Sequence, residues 1–419
     1  MSETENMPSQ YTETLDVSNF LSIKKLYWDI KPFNIITGDM ASGKSLCMKL
    51  LYFFEDIFLS SILLSPNFSK RLFENENFFD QLSRTFIDFF YLKDNTWQNF
   101  CITYNFKANG SNFVISVAGD SSVEKKISWE CGYLKEHLTK WCGYFRSPET
   151  PDMAQEVRIR ILEEIKHDFL DKLPTSTMFV PASRAALTVA DIGHFEDIFL
   201  KEFNKDKNFL LSNFDTSLSK ELADILHVIN IRINPNNKND ILLIHNDGRT
   251  VPSLFSSSGQ QELVYLLLLM EKLPEIRFIY GRMLSLFIEE PSAHLFPEEQ
   301  KKLIERIVIL FQQKKELETR FFITTHSPYM LNSLNNILKK GALLKKFENR
   351  ADKINSAINI PHLYSDEISA YFITNEGNWE SMLDENKKYL YAEKISNISE
   401  AINEDTLKLK ELNNELLNE

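Results

Sequence analysis

Apolar residues recur at strand spacing from Leu15 to Ile30, and Phe33 to Thr37 is a short apolar run of the kind that forms a buried strand. The spacing then switches to a helical one, with Leu46, Leu50, Leu51, Phe54 and Ile57 on one face. Pro66 to Tyr91 is Phe-rich and reads as helical. Phe100 to Ala118 alternates like a hairpin turning at Asn109-Gly110, and Glu156 to Leu173 is a charged periodic helix. Thr177 to Ala182 is a short apolar strand, and the chain from about 192 to 230 reads as helical. Asp240 to Val251 is a hairpin with its turn at Asp247-Gly248. Ser256 to Glu262 opens a strongly apolar helix. Two further buried strands, Met283 to Ile288 and Arg320 to Thr324, flank a helix from Gln300 to Gln313. After these the chain turns rich in Lys and Asn, with one strand pair near Ala370 to Thr374 and a polar terminal helix.

Strands alternating with helices predict an α/β fold. The 419 residues are enough for two or three packing units, and 43% hydrophobic with 25% charged residues is a globular composition. The 32 Phe favour large buried cores. The longest apolar run, Leu263 to Met270, is too short to span a bilayer, and Met1 to Glu13 lacks the basic-then-apolar order of a signal peptide. The four cysteines, Cys47, Cys101, Cys131 and Cys142, are scattered without metal-ligand spacing. A soluble cytoplasmic protein with no membrane partner is therefore expected, and a permease is excluded. The net charge of −12 argues against a surface coated by nucleic acid, while leaving room for a local basic groove.

Four short stretches carry chemistry. Gly38-Asp39-Met40-Ala41-Ser42-Gly43-Lys44-Ser45, followed by Leu46, has the spacing of a phosphate-binding loop between an apolar strand and a helix. Its glycines let backbone N–H groups curl around phosphate, Lys44 reaches the β- and γ-phosphates, and the Ser45 hydroxyl serves Mg²⁺. Glu289-Glu290 ends an apolar strand, where two buried carboxylates are costly unless they meet a cation and a polarised water. Glu289 suits the metal, and Glu290 suits orienting or deprotonating the attacking water. His326 ends the next strand; alone, a histidine there is more often a polar cap, but one strand after Glu289-Glu290 it could bond the γ-phosphate and that water. Ser257-Ser258-Gly259-Gln260 opens a helix and reads either as an N-cap or as an anion site for the γ-phosphate of a second protomer.

The order of these motifs resembles the ABC ATPase class, within it the AAA branch that includes RecF, Rad50, SMC proteins and the overcoming-lysogenization-defect (OLD) ATPases. Glu289 to Pro297 and Thr325 to Pro328 are particularly similar to that branch. Ser256 to Gln260 lines up with the class signature, with Ser257 at its serine and Gly259 at its second glycine. Departures are Glu289 in place of the usual aspartate, Ser256 and Ser258 in place of Leu and Gly, and no glutamine at an obvious Q-loop position. Pro181-Ala182-Ser183-Arg184 is similar to a segment of such ATPases, with Arg184 either on a phosphate or paired to an acid.

The resemblance implies an ABC ATPase-type P-loop head with an inserted mixed or helical subdomain and a C-terminal α/β extension. The expected division is a flexible tail (1–13), an N-terminal ATPase lobe (14–58), the insert (59–175), an ATPase core with signature, Walker B strand and switch histidine (176–335), and the extension (336–419). It further implies ATP and Mg²⁺ held between two head-to-tail protomers, or within a higher homo-oligomer, and hydrolysis to ADP and phosphate. The insert is too short and Phe-rich for the coiled coil of Rad50 or SMC proteins, and too few residues follow His326 for a fused nuclease. A compact head of this kind resembles the ATPase subunits of bacterial anti-phage systems (Septu, PARIS, retron-linked), which implies a sensor working with a separate effector, a nuclease. The competing expectation is a RecF-like DNA repair or chromosome-maintenance ATPase that binds DNA, with Lys339, Lys340, Lys345 and Lys346 in a basic groove.

Overall fold

The computed structural model describes residues 11–39, 41–55, 78–92, 99–121, 126–133, 136–137, 140, 160, 163–165, 167–169, 176–182, 220–234, 237–280, 284–313, 319–384 and 389–390. The strands are β1 (Tyr11–Phe20), β2 (Ile23–Asp29), β3 (Phe33–Gly38), β4 (Phe100–Ala108), β5 (Ser111–Gly119), β6 (Ile127–Glu130), β7 (Ser176–Val180), β8 (Val228–Asn234), β9 (Asn237–His245), β10 (Thr250–Pro252), β11 (Leu284–Glu289), β12 (Thr319–Thr324), β13 (Ile368–Ile373) and β14 (Trp379–Ser381). The α-helices are α1 (Lys44–Tyr52), α2 (Phe78–Phe90), α3 (Lys220–Ile225), α4 (Ser258–Tyr280), α5 (Pro297–Gln313), α6 (Pro328–Lys346) and α7 (Ala351–Ala357).

A six-stranded sheet in the order β14-β13-β3-β12-β11-β7 forms the centre. All its pairings are parallel except β13 with the edge strand β14. Every residue of β3, β11 and β12 is buried, which is why these segments are mostly apolar on both faces, with Asn34, Ser285 and Arg320 among the buried polar exceptions. Phe179, Phe287 and Phe322 pack into one hydrophobic core, whereas Leu286, Ile288, Phe321 and Ile323 pack into a second. The first core also holds α1 and a five-stranded antiparallel sheet, β2-β1-β4-β5-β6, lined by Phe20, Phe53, Phe86 and Phe100. Ring pairs such as Phe53–Phe86 at 5.2 Å and Phe86–Phe90 at 4.7 Å explain the need for so much Phe. The second core holds α4, α5, α6 and a three-stranded sheet, β10-β9-β8.

The observed elements cross several of the expected bounds. The tail does not run to residue 13: Tyr11 opens β1, and the Glu13 carboxylate is buried against Arg320 and the Tyr104 hydroxyl, at 2.8 Å from the latter. The stretch 59–175 is not separate from the lobe before it. Strand β4 pairs with β1 from Tyr11↔Ala108 to Ser18↔Cys101, so one antiparallel sheet spans the expected boundary. Nor does the core stop at residue 335, because α6 runs across it and β13 pairs with β3 inside the central sheet. Of the segment from about 192 to 230, expected helical, residues 192–219 lie outside the described residues; the rest turns from α3 into β8, whose isoleucines alternate with Asn and Arg as a strand's do. The hairpin turns fall where expected, at Asn109-Gly110 with φ values of 50° and 77°, and at Gly248 with φ of 83°. Of the Pro66 to Tyr91 helix, residues 78–90 are described and helical; 56–77 and the terminal helix lie outside the described residues.

Candidate functional site

In a parallel sheet all strands deliver their following loops to the same edge, and that edge is where ligands bind in α/β folds. Here β3 delivers the loop Gly38 to Lys44, its neighbour β12 delivers Thr325-His326, and β11 beyond it delivers Glu289-Glu290. Chain segments nearly 290 residues apart in sequence therefore converge because their strands share a sheet.

The loop is built by backbone conformations that favour small residues. Gly43 (φ 105°) and Ala41 (φ 62°) are left-handed. At Gly38 (φ 149°) a side chain would start 2.4 Å from the Ile373 carbonyl oxygen of β13. The Ser42 N–H donates to the Asp39 carbonyl at 3.3 Å, tightening the turn. Gly43 is the N-cap of α1 and offers no side chain to its first-turn N–H groups, which is the arrangement that accepts an anion. Lys44 donates to the carbonyls of Gly38 at 2.9 Å and Asp39 at 2.7 Å, so its ammonium lies folded over the loop. Burial lowers its pKa from the ordinary 10.5, and the nearby charges of Glu290 and Asp39 draw it back up. The buried hydroxyls of Thr37 and Ser42 have no hydrogen-bond partner among the described residues. Ser45 and Leu46 are half-buried in the first turn of α1, and Met40 lies outside the described residues.

Glu289 is buried at the end of β11, where the Ala182 N–H donates to its Oε2 at 3.3 Å. This places the expected Pro181-Ala182 segment beside the carboxylate; Ser183 and Arg184 lie outside the described residues. Glu290 turns off the strand with φ 43°, and its N–H donates to the carbonyl and hydroxyl of Thr324 at 3.1 and 3.2 Å. Its carboxylate is 2.8 Å from His326 Nδ1 and accepts the His326 backbone N–H at 3.3 Å. That hydrogen bond raises the His326 pKa above its ordinary 6.5, against a smaller opposing effect of burial. Lys44, Glu290 and His326 thus form one electrostatic group. After His326, Ser327 caps α6 by accepting the Met330 N–H at 3.2 Å and is itself held by Gln300. The sequence places Thr324, Thr325, Ser327 and Gln300 in the right segments but does not show that they hold Glu290 and the start of α6.

Ser257 to Gln260 do not join this group: none of them bonds the loop, Glu290 or His326 among the described residues. They form a reciprocal cap at the start of α4, with the Gln260 N–H donating to Ser257 Oγ and the Ser257 N–H to Gln260 Oε1, each at 3.4 Å. Gln260 Nε2 donates to the Leu226 carbonyl at 2.7 Å. Gly259 lies under the turn after Glu290, where a Cβ would come within 2.8 Å of the His294 carbonyl oxygen. Ser258 is exposed on this cap. The lysine run expected to line a basic groove is divided: Lys340 is buried, donating to the carbonyls of Ile358 at 3.1 Å and Ile360 at 2.6 Å.

These residues fit a nucleotide triphosphate with Mg²⁺. The loop offers uncapped N–H groups, an ammonium and two buried hydroxyls, and Ser45 with Glu289 suits a cation that keeps its remaining contacts to water and phosphate. Among the described residues no helix is long and apolar enough to cross a membrane.

Residues 146–331 match the family model AAA_15, described as an AAA ATPase domain. No curated protein matches the chain. Among solved structures, the SMC head domain from Thermotoga maritima is similar at 13% identity and a TM-score of 0.36, over 78% of this chain and 92% of that one. The Smc head domain with a coiled coil and joint derived from Pyrococcus yayanosii gives 12% identity and 0.42, over 93% and 99%. The recombination mediator protein RecF-ATPrS of the RecFOR pathway gives 12% and 0.35, over 90% and 100%. The matched segment, under half of the chain, contains Ser257 to Gln260, Glu289, Glu290 and His326; over it the chain is similar to an AAA ATPase domain, and the chain is an ATP-hydrolysing enzyme with an α/β fold.

Proposed function

We propose that two copies of the chain bind ATP between them, head to tail, and that the pair serves as the sensor of a bacterial anti-phage defence system, controlling a separate effector nuclease. The observation carrying the head-to-tail reading is the division of the site. Lys44, Glu289, Glu290 and His326 meet at one sheet edge, while Ser257 to Gln260 cap α4 without touching them. A second copy would bring its Ser257 and Gly259 to the γ-phosphate.

Within one copy, the loop N–H groups from Gly38 to Leu46 cradle the phosphates and Lys44 leaves the Gly38 and Asp39 carbonyls to pair with them. Bound Mg²⁺, held by Ser45 and Glu289, supplies charge neutralisation on the phosphate oxygens. Glu290 orients the attacking water and accepts its proton. His326 fixes that carboxylate through the 2.8 Å contact and shares the proton.

The defence role is supported by the compact insert, whose described strands complete a sheet with the N-terminal lobe instead of leading into a coiled coil. The RecF-like alternative calls on a lysine groove; Lys340 is turned inward, while Lys339, Lys345 and Lys346 are exposed and keep that reading open to the same test. Turnover of ATP by wild type and Glu290→Gln, with and without duplex DNA, tests both. Glu290→Gln is expected to reduce turnover by roughly 10²–10⁴-fold, the usual scale for a general base. Wild-type turnover in that variant would remove Glu290 from the reaction. Stimulation by DNA would favour the repair reading; turnover indifferent to DNA, with a nuclease recovered on the purified chain, would favour defence.

A further inference from the structure

A cavity of 440 Å³ lies away from the sheet edge, walled by α3, the start of β8, the β9–β10 turn and α5. Its polar lining is Asp224, His227, Asn246, Lys302, Glu305 and Arg306. Three of these side chains are already matched. Lys302 pairs with Glu298 at 2.8 Å, Glu305 with Lys301 at 2.8 Å, and His227 with Glu299 at 2.7 Å. Arg306 is not: its Nε is buried and has no hydrogen-bond partner among the described residues. A guanidinium Nε–H and its neighbouring Nη–H form a planar fork that matches the two oxygens of one carboxylate or phosphate. The volume falls within the roughly 300–1,000 Å³ usual for small-ligand pockets.

The same wall touches the signature turn. Leu226 lies between the cavity residues Ile225 and His227, and its carbonyl accepts Gln260 Nε2 at 2.7 Å. His227 holds a left-handed φ of 54°, uncommon for a non-glycine residue, and its N–H donates to the Asp224 carbonyl at 3.3 Å. A shift of this tight turn would therefore move the acceptor that anchors Gln260.

We infer that the cavity binds a small oxyanion, a carboxylate or phosphate compound, on the Arg306 fork, and that its occupancy is transmitted through the Leu226–Gln260 hydrogen bond to the first turn of α4. The binding half stands apart from the proposed function; the transmission half rests on it.

The full chain carrying Lys44→Ala, which weakens anion binding at the phosphate loop, is titrated calorimetrically with inorganic phosphate and separately with malonate. At least one should bind, and the one that does identifies the source of the oxyanion. Adding Arg306→Gln should weaken that binding by about tenfold or more, and Arg306→Lys, which keeps charge without the fork, by less. Ile309→Trp, which fills the cavity from its apolar side, should abolish binding and serves as the second variant should Arg306→Gln melt early. Affinity unchanged from the Lys44→Ala parent in both Arg306→Gln and Ile309→Trp, or binding of neither anion, overturns the inference. The transmission half is read from ATP turnover of the otherwise wild-type chain, with and without Arg306→Gln, as the bound anion is raised. Anion-dependent turnover that vanishes with Arg306→Gln supports it, and Arg306-dependent binding with unchanged turnover overturns transmission alone.

Discussion

His326 and Glu290 meet at 2.8 Å, and at the scale of single residues this contact decides where a proton sits. The carboxylate charge favours the imidazolium, so the histidine holds its proton to a higher pH than its ordinary 6.5. The stabilisation this pair contributes is present in full just below the ordinary histidine value of 6.5 and fades as pH rises through the raised one. Replacing Glu290 by Gln removes the charge, so the His326 pKa should fall toward 6.5 when followed by the NMR shift of its ring protons. An unchanged titration would mean that the two side chains are apart in solution. His326→Ala should then lower turnover less than Glu290→Gln does, because a positioning partner is lost while the base remains, and steady-state rates at saturating ATP measure that difference.

At the scale of elements, two buried contacts tie distant segments together. Arg320 on β12 binds Glu13 of β1, Glu55 just beyond α1 at 2.6 Å, and Ser285 of β11 at 2.7 Å. Burial pushes the Glu55 carboxyl up to about 8, while Arg320 pulls it down and Glu13 pushes it further up. Arg320→Met should cost about 3–5 kcal/mol by leaving buried acids uncompensated, read from denaturant midpoints, and Glu55→Gln in the same chain should recover part of it. On α6, Gly341 packs so closely that a Cβ would start 2.0 Å from the Leu363 carbonyl oxygen. Gly341→Ala should destabilise the chain by about 1–3 kcal/mol with little change in turnover per folded molecule. None of these ties was legible in the sequence. Periodicity is a local signal: it located β4 and β5 and their Asn109-Gly110 turn, but it cannot report that β4 pairs with β1 some 90 residues earlier. The same limit put a boundary at 335, through the middle of α6. That Lys44, Glu289, Glu290 and His326 come together was more legible, since each lies at or after the end of a short apolar strand and parallel strands present their ends together. What remained hidden there depends on three dimensions: the fold of Lys44 onto its own loop, the contact of Gly38 with Ile373, and the seat of Gln260 on Leu226.

At the scale of the whole molecule, the proposed pairing of copies needs an apolar anchor near Ser257. Phe255, two residues before it, and Phe296, after the turn that packs on Gly259, are each 80% exposed. Large aromatic side chains so exposed at one locality are typical of an association surface. With ATP and Glu290→Gln to block hydrolysis, the chain should sediment as a dimer. Phe255→Ser with Phe296→Ser should weaken that dimer by about tenfold or more while leaving the monomer's melting temperature nearly unchanged. A dimer of unchanged strength would place the contact elsewhere.

The phosphate-loop strand has its two neighbours, β12 and β13, encoded some 280 to 330 residues after it. On a ribosome adding roughly 5–20 residues per second, β3 leaves the exit tunnel on the order of tens of seconds before either neighbour exists. Through that interval the nascent chain displays the loop residues without the sheet that shapes them, and Gly38 has no Ile373 to lie against. An unfinished copy therefore lacks the sheet that shapes this loop, and β13 is the neighbour whose arrival seats Gly38 against Ile373.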